Sequence, residues 1–342
     1  MPVASTFRPP WWLANPHAQT LWPVLCRRRP HLALRRERLI LPDGDHLDLD
    51  WTGGTQGPQV LLLHGLEGSS GSHYARGLLA ACVARRWRGV VMHFRGCSGM
   101  PNRLARGYSA GDTADLAHVA QLLHQREPAT PLAVVGYSLG GNALLKWLGE
   151  AGSSAPVQAA VAVSVPFLLD SAARRMGRGL SRLYQHHLLH ALRRSYRAKF
   201  QQRADGPVTL DELAQLRDFY AFDDRVTAPL HGYAGVDDYY ARASCRPYLR
   251  HIAVPTLILH AHDDPFMLPE AIPEPAELSA CTHLELSGGG GHVGFVGGRW
   301  PWRAEYWLEQ RIPAFLAEQW SSRSTATASA HASAPAQHSA DR

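Results

Sequence analysis

The chain alternates short unbroken apolar runs with longer stretches in which apolar residues recur every three or four positions. The runs Val60–Leu63, Val90–Phe94, Leu132–Val135, Val157–Val165, Thr256–His260 and Thr282–Leu286 have the length of strands. Arg38–Leu41 and Leu47–Trp51 flank Asp43-Gly44, a hairpin signal. Helical spacing predicts helices over Tyr74–Arg86, with Leu78, Leu79, Cys82 and Val83 on one face, and over Asp112–Gln125, with Leu116, Val119, Leu122 and Leu123. Further helices are predicted at Asn142–Leu148 and Arg303–Trp320, where Pro313 is expected to kink or split the last one. Strands that are apolar throughout, separated by helices, predict an α/β fold with a mostly parallel sheet covered on both faces.

Residues 166–250 interrupt this rhythm. Strand signals are few there, arginines are many, and Leu180, Leu183, Tyr184, Leu188 and Leu192 share a helical face. Such a block reads as a helical cap over the strand C-termini, where ligands bind in sheets of this kind. The organisation expected is a core in two parts, 1–165 and 251–320, with the cap at 166–250. The last stretch, 321–342, has no Leu, Ile, Val or aromatic residue and is expected to be a disordered tail.

Composition adds exclusions. With 342 residues and 45% hydrophobic content the chain can build a large core without cross-links. Lys and Arg exceed Asp and Glu by 35 to 29, a net charge of +6 carried in short clusters, and no nucleic-acid module accompanies them. The five cysteines (26, 82, 97, 245 and 281) form no CxxC pair and read as free thiols of a reducing compartment. The N-terminus has several prolines and no apolar core of a signal peptide, and the longest apolar runs are too short to span a bilayer. A cytoplasmic protein without a transmembrane segment is the expectation.

Candidate chemistry centres on Gly136-Tyr137-Ser138-Leu139-Gly140, directly after an apolar strand and directly before a helix. In that context a G-x-S-x-G sequence predicts a tight turn that thrusts Ser138 out at the top of the sheet. A hydroxyl is a weak nucleophile, so it requires a base, and the base an orienting acid, in the chain order Ser, acid, His. His292 follows the glycine run Gly288–Gly291 after the last strand and is the candidate base; His283 and His260 sit in or at the end of strands. Asp263 and Asp264 both follow a late strand. Loop spacing and the following Pro265 favour Asp264, leaving Asp263 as a loop brace. Backbone N–H groups of Leu139 and Leu66 are the expected oxyanion donors, and His64 is read as a loop anchor. His260, His262 and the two aspartates have no second ligand cluster to complete a metal site, and Gly288–Gly291 lacks the Gly-Lys-Ser/Thr of a phosphate loop.

These residues resemble the YheT-like branch of the α/β-hydrolase fold, whose relatives include eukaryotic abhydrolase-domain lipid hydrolases and yeast ethanol acyltransferases. The likeness rests on Phe7–Trp12 with Asn15–Thr20, His64–Gly68, Phe94–Gly99, Gly136–Asn142, His231–Tyr233, Asp238–Tyr240, Asp263–Phe266 and Gly290–Phe295, and spans about residues 7 to 320. The resemblance implies Ser138 as nucleophile, Asp264 as orienter and His292 as base. It further implies a carboxylic ester hydrolase for short- to medium-chain acyl esters or simple lipids, working without metal or organic cofactor. Phe167, Leu168, Leu180 and Leu183 are expected near the acyl pocket. Alternatives are transfer of the acyl group to an alcohol, amide cleavage on the same fold, and a membrane-surface module using the Arg-rich stretch 174–203.

Overall fold

A computed structural model describes residues 3–332, with side chains described for 4–322. The apolar runs assemble into one sheet of nine strands among these residues: β1 (Val3–Ala4), β2 (Arg35–Ile40), β3 (His46–Trp51), β4 (Gln59–Leu63), β5 (Arg88–Met92), β6 (Leu132–Tyr137), β7 (Ala159–Val163), β8 (Thr256–Ala261) and β9 (Thr282–Ser287). Their spatial order is β1-β9-β8-β7-β6-β4-β5-β3-β2. Neighbours from β5 through β4, β6, β7, β8 and β9 to β1 pair parallel, and β3 runs antiparallel to both β2 and β5. The β2–β3 hairpin turns at Asp43-Gly44 as expected, with Gly44 at φ 79°, a left-handed conformation that glycine adopts without strain.

Every residue of β3 through β8 is buried; the parallel strands β4 to β8 therefore read as largely apolar runs, whereas β3 alternates and its Asp48 and Asp50 are buried in ion pairs with Arg38 and Arg36. Alternation along each strand supplies two cores. Leu61, Leu63, Val134 and Ile258 join Leu116, Val119, Leu144 and Trp147 of α3 (Ala114–Arg126) and α4 (Leu139–Ala151). Val60, Leu62, Val135 and Leu259 join Leu78, Leu79, Ile312 and Phe315 on the other face. The latter come from α2 (His73–Ala84) and the closing helix Leu308–Ala332, and α1 (Pro16–Leu25) packs beside α2.

The closing helix departs from expectation in two ways. It starts at Leu308, after a 3-10 turn at Pro301–Arg303, and Pro313 does not split it. Pro313 lies in the second turn, where its missing N–H removes a single i to i−4 bond, the one to Glu309. Of the expected tail, residues 321–332 continue this helix, a stretch whose alanines favour that state, and 333–342 lie outside the described residues.

The insertion holds α5 (Leu169–Met176), α6 (Ser181–Phe200), α7 (Leu210–Gln215), a helical segment over 219–230 with a π turn at Asp223–Thr227, and the helix Val236–Ala243. Leu189, Tyr196, Phe200, Val208, Leu213, Phe222 and Val226 form its own core. The later part, including Val236, Tyr239, Tyr240 and Leu249, packs into the α4 side of the main core. The expected apolar stripe of α6 is rotated. Leu180 and Leu183 are 62% and 69% exposed, while Ser181, Gln185, Leu189, Tyr196 and Phe200 are buried. The Ser181 hydroxyl donates to the carbonyl of Pro265 and Leu189, Tyr196 and Phe200 pack inward, an orientation that leaves Leu180 and Leu183 facing solvent. Neither they nor Phe167 and Leu168 line the cavity at Ser138, which corrects the expectation placed on these four residues. No helix among the described residues is long and apolar enough to cross a membrane.

Candidate active site

The chain leaves β6 and enters α4 within one residue. Ser138 takes φ 52° and ψ −120°, a conformation costing a non-glycine residue about 1–3 kcal/mol. The glycines around it are steric requirements. A Cβ on Gly136 would lie 2.4 Å from the carbonyl oxygen of Gly140, and one on Gly140 would lie 2.5 Å from that of His64. The Ser138 amide donates to Val163, and the buried amide side chain of Asn142 donates to the carbonyls of Ala110 and Ala243 and accepts from the amide of Cys245.

His292 meets this serine. Its Nε2 is 3.0 Å from Ser138 Oγ, and its Nδ1 is 2.8 Å from Asp264 Oδ2. Asp264 is 4% exposed, and its other oxygen accepts from the amide of Phe266. The Phe266 ring stacks on the imidazole at 3.9 Å, covering one face. Asp263 stands apart. It accepts from the amide of Gly291, and burial raises its carboxyl above the ordinary value. Of the two candidate acids, Asp264 is the one on the imidazole, and Asp263 braces the glycine run.

Ser138, Leu139 and Leu66 line a common cavity of about 680 Å³. The amides of Leu66 and Leu139 have no hydrogen-bond partner among the described residues, whereas their neighbours Gly65 and Glu67 donate to the hydroxyls of Tyr74 and Tyr108. Glu67, held at φ 53°, accepts from the hydroxyls of Tyr108 and of Ser195 on α6. His64 is fully buried between the carbonyl of Gly65, 2.7 Å from its Nδ1, and the amide of Phe94, which donates to its Nε2. Burial lowers its pKa to about 3, so it stays neutral and anchors the loop. The apolar wall of the cavity comes from Leu169, Ala173, Met176, Leu188, Leu192 and Met267, so Leu188 and Leu192 of the predicted stripe do reach it.

Other reactive groups nearby are arranged differently. Ser70 and His93 also line the cavity, but both Ser70 Oγ and His93 Nε2 bond to Asp50, which Arg36 grips with two bonds. No serine–imidazole contact results. Burial and the nearby Glu67 carboxylate hold the Cys97 thiol well above its ordinary pKa, so it is protonated. His260 is buried against Phe167 while His262 is exposed, so the cluster around β8 does not converge on one point.

A family model described as alpha/beta hydrolase fold matches residues 58–298. The chain belongs to the α/β-hydrolase family. Within it the chain is similar to "Putative esterase YheT" of Escherichia coli (strain K12), with 44% identity over 318 residues covering 92% of this chain and 93% of that one. This places it in the YheT-like branch. It is 31% identical over 314 residues to Phospholipase ABHD3 of Mus musculus, covering 89% and 76% of the two chains. Among solved structures, the Pyrococcus furiosus esterase Pf2001 shares the fold with a TM-score of 0.53 at 16% identity, covering 91% of this chain and 99% of that one.

In this α/β hydrolase the support of His292 comes from residues to which sequence reasoning gave no role. Thr20 of α1 accepts the His292 amide proton at 2.9 Å. Gln19, fully buried, bonds the carbonyls of Leu13 and Val296 and the amide of Val296. Gly291 and Gly294 press so closely on α1 that a Cβ on either would come within 2.4 Å of the carbonyl of Pro16 or Gln19. Ser164, at φ 51°, receives the amide of Val293. A buried amide side chain in an N-terminal helix leaves no periodic signal. The only trace is the run Asn15–Thr20 itself.

Proposed function

We propose that this protein is a serine carboxylesterase that cleaves short- to medium-chain acyl esters or simple lipids through an acyl-enzyme. The observation that carries the reading is the chain of contacts Ser138 Oγ–His292 Nε2–Asp264 at 3.0 and 2.8 Å, beside two free backbone donors at one cavity. In the neutral imidazole Nδ1–H donates to Asp264, leaving Nε2 to accept the serine proton. Ser138 Oγ attacks the ester carbonyl carbon as its proton passes to Nε2. The oxygen, now carrying the negative charge, is received by the N–H groups of Leu66 and Leu139, each donor being worth roughly 10²–10³ in rate. Collapse breaks the bond to the alkoxy oxygen, which takes the proton from His292 and leaves as alcohol. Water, deprotonated by His292, then releases the acid and restores Ser138.

The cavity volume of about 680 Å³ falls within the range of roughly 300–1,000 Å³ usual for small-molecule sites, and its Leu, Met and Ala wall suits an acyl chain. The names of the relatives, esterase and phospholipase, support ester substrates. The test is hydrolysis of a p-nitrophenyl ester series from acetate to dodecanoate. Turnover that peaks at butyrate to decanoate and falls by roughly 10⁶ in Ser138→Ala is expected. Equal rates in wild type and variant would remove the reading. Added ethanol that diverts product from acid to ethyl ester would instead favour acyl transfer on the same machinery.

A further inference from the structure

The outer face of the elements that seat His292 is apolar, aromatic and cationic. Trp11, Trp300 and Trp302 are 74%, 38% and 75% exposed. They form one continuous surface, with Trp11 edge-on to Trp300 at 6.1 Å and Trp300 stacked on Trp302 at 5.5 Å. Trp300 and Trp302 lie in the turn between the paired segments Val296–Gly297 and Glu305–Tyr306, and the Trp12 indole donates to Gly298 at the start of that turn. Trp12 packs on Trp22 of α1, which leaves Leu21, Val24 and Leu25 exposed. The surrounding charge is mainly positive: Arg8, Arg28, Arg29, Arg299 and Arg303 are exposed, while Arg27 is held by Glu309, Arg36 by Asp50, and the exposed Glu305 closes the turn. Arg299 lies over the Trp300 ring at 5.6 Å.

We propose that this surface docks the protein on an anionic lipid bilayer, with the three tryptophans at the headgroup level and the arginines on lipid phosphates. Indole rings are enriched at membrane–water interfaces, where an apolar body and a polar N–H both find their medium. Exposed aliphatic side chains on a neighbouring helix extend the buried area, and each arginine near an anionic surface adds attraction that salt screens. A water-facing surface with three adjoining indoles has no counterpart elsewhere among the described exposed residues. The exposed Leu180 and Leu183 of the insertion also have arginines near them in sequence, at 175, 178 and 182, but no exposed indole beside them. Because α1 seats Thr20 against His292 on its inner side and carries Leu21, Val24 and Leu25 on its outer side, docking brings the site's supporting elements against the lipid.

The test is co-sedimentation of the full chain with phosphatidylcholine vesicles with and without 30% phosphatidylglycerol, together with quenching of tryptophan emission by brominated lipid. Binding to the anionic vesicles that weakens with salt, and quenching that reports buried indoles, are expected. Trp11→Ser/Trp300→Ser/Trp302→Ser should weaken vesicle binding by roughly tenfold or more while leaving turnover of a water-soluble ester unchanged. Arg299→Glu/Arg303→Glu should weaken binding to the anionic vesicles alone. Ser138→Ala should bind like wild type, which separates this proposal from the catalytic one. No vesicle binding, binding lost through Leu180→Ser/Leu183→Ser with the triple variant unaffected, or a dimer in sedimentation equilibrium that the triple variant dissolves would each overturn it, the last in favour of a second copy as occupant.

Discussion

The two sides of the site are held by different kinds of structure. Ser138 is fixed locally. Five consecutive residues, two of them glycines pressed against backbone oxygens, leave the chain one way to pass from β6 into α4. His292 is fixed at long range. Its amide is held by Thr20, its imidazole by Asp264 and Phe266, and its loop by Gln19, in contacts that bridge as many as 277 positions of sequence. A locally built element survives or fails as a unit, whereas one assembled from distant segments can lose alignment while the fold stands.

That contrast can be broken most severely at the elbow. Gly140→Ala places a methyl 2.5 Å from the carbonyl oxygen of His64, which belongs to the sheet-end loop and cannot retreat. A loss of about 3 kcal/mol or more is expected from such overpacking, seen as a large fall in the midpoint of thermal unfolding or in soluble yield. A variant as stable as wild type would show that the turn has room.

The base side should respond in the opposite sense, with activity lost ahead of stability. Thr20→Val removes the acceptor of the His292 amide and leaves that N–H unpaired, at a cost of about 1–3 kcal/mol. A drop in kcat of about ten- to a hundredfold is expected, with KM little changed and Thr20→Ser restoring most of the rate. Loss of thermal stability with kcat intact would assign Thr20 to the fold alone.

A smaller effect tests the insertion. Burial raises the Asp223 carboxyl to about 6, against hydrogen bonds from Thr227 and Tyr240 that favour ionisation. The unfolded chain ionises this group near 3.8, so between about pH 4 and pH 6 the folded protein retains a proton that the unfolded one releases. The contribution of Asp223 to stability is therefore full at the lower end of that window and lost as pH rises through 6. The difference in unfolding temperature between wild type and Asp223→Asn should shift against wild type across it. A difference independent of pH would place the ionisation elsewhere.

The same contrast explains what could be read from the sequence. The parallel strands were legible because burial on both faces makes them uninterrupted apolar runs, and the elbow because its sterics demand specific letters. The order Ser138, Asp264, His292 follows from where strands end. What escaped were side chains whose role comes from distant partners: Thr20 and Gln19 beneath the His292 loop, Ser164 beside it, and Ser195 on Glu67. The orientation of α6 was misread for a related reason. Its leucines repeat at helical spacing on two overlapping faces, and the face that turns inward is the one with distant partners, Ser181 on Pro265, Ser195 on Glu67 and Tyr196 on Val208. Periodicity gives a helix its stripe, and only its anchoring fixes the stripe's direction.

The central claim is that Ser138 forms a covalent acyl intermediate. The direct measurement is mass spectrometry of the intact protein and its peptides after exposure to an alkyl fluorophosphonate. One adduct is expected, on the peptide carrying Ser138, absent from Ser138→Ala and formed much more slowly in His292→Asn. A wild-type protein that stays unlabelled, or an adduct on another residue with Ser138 free, would contradict the account.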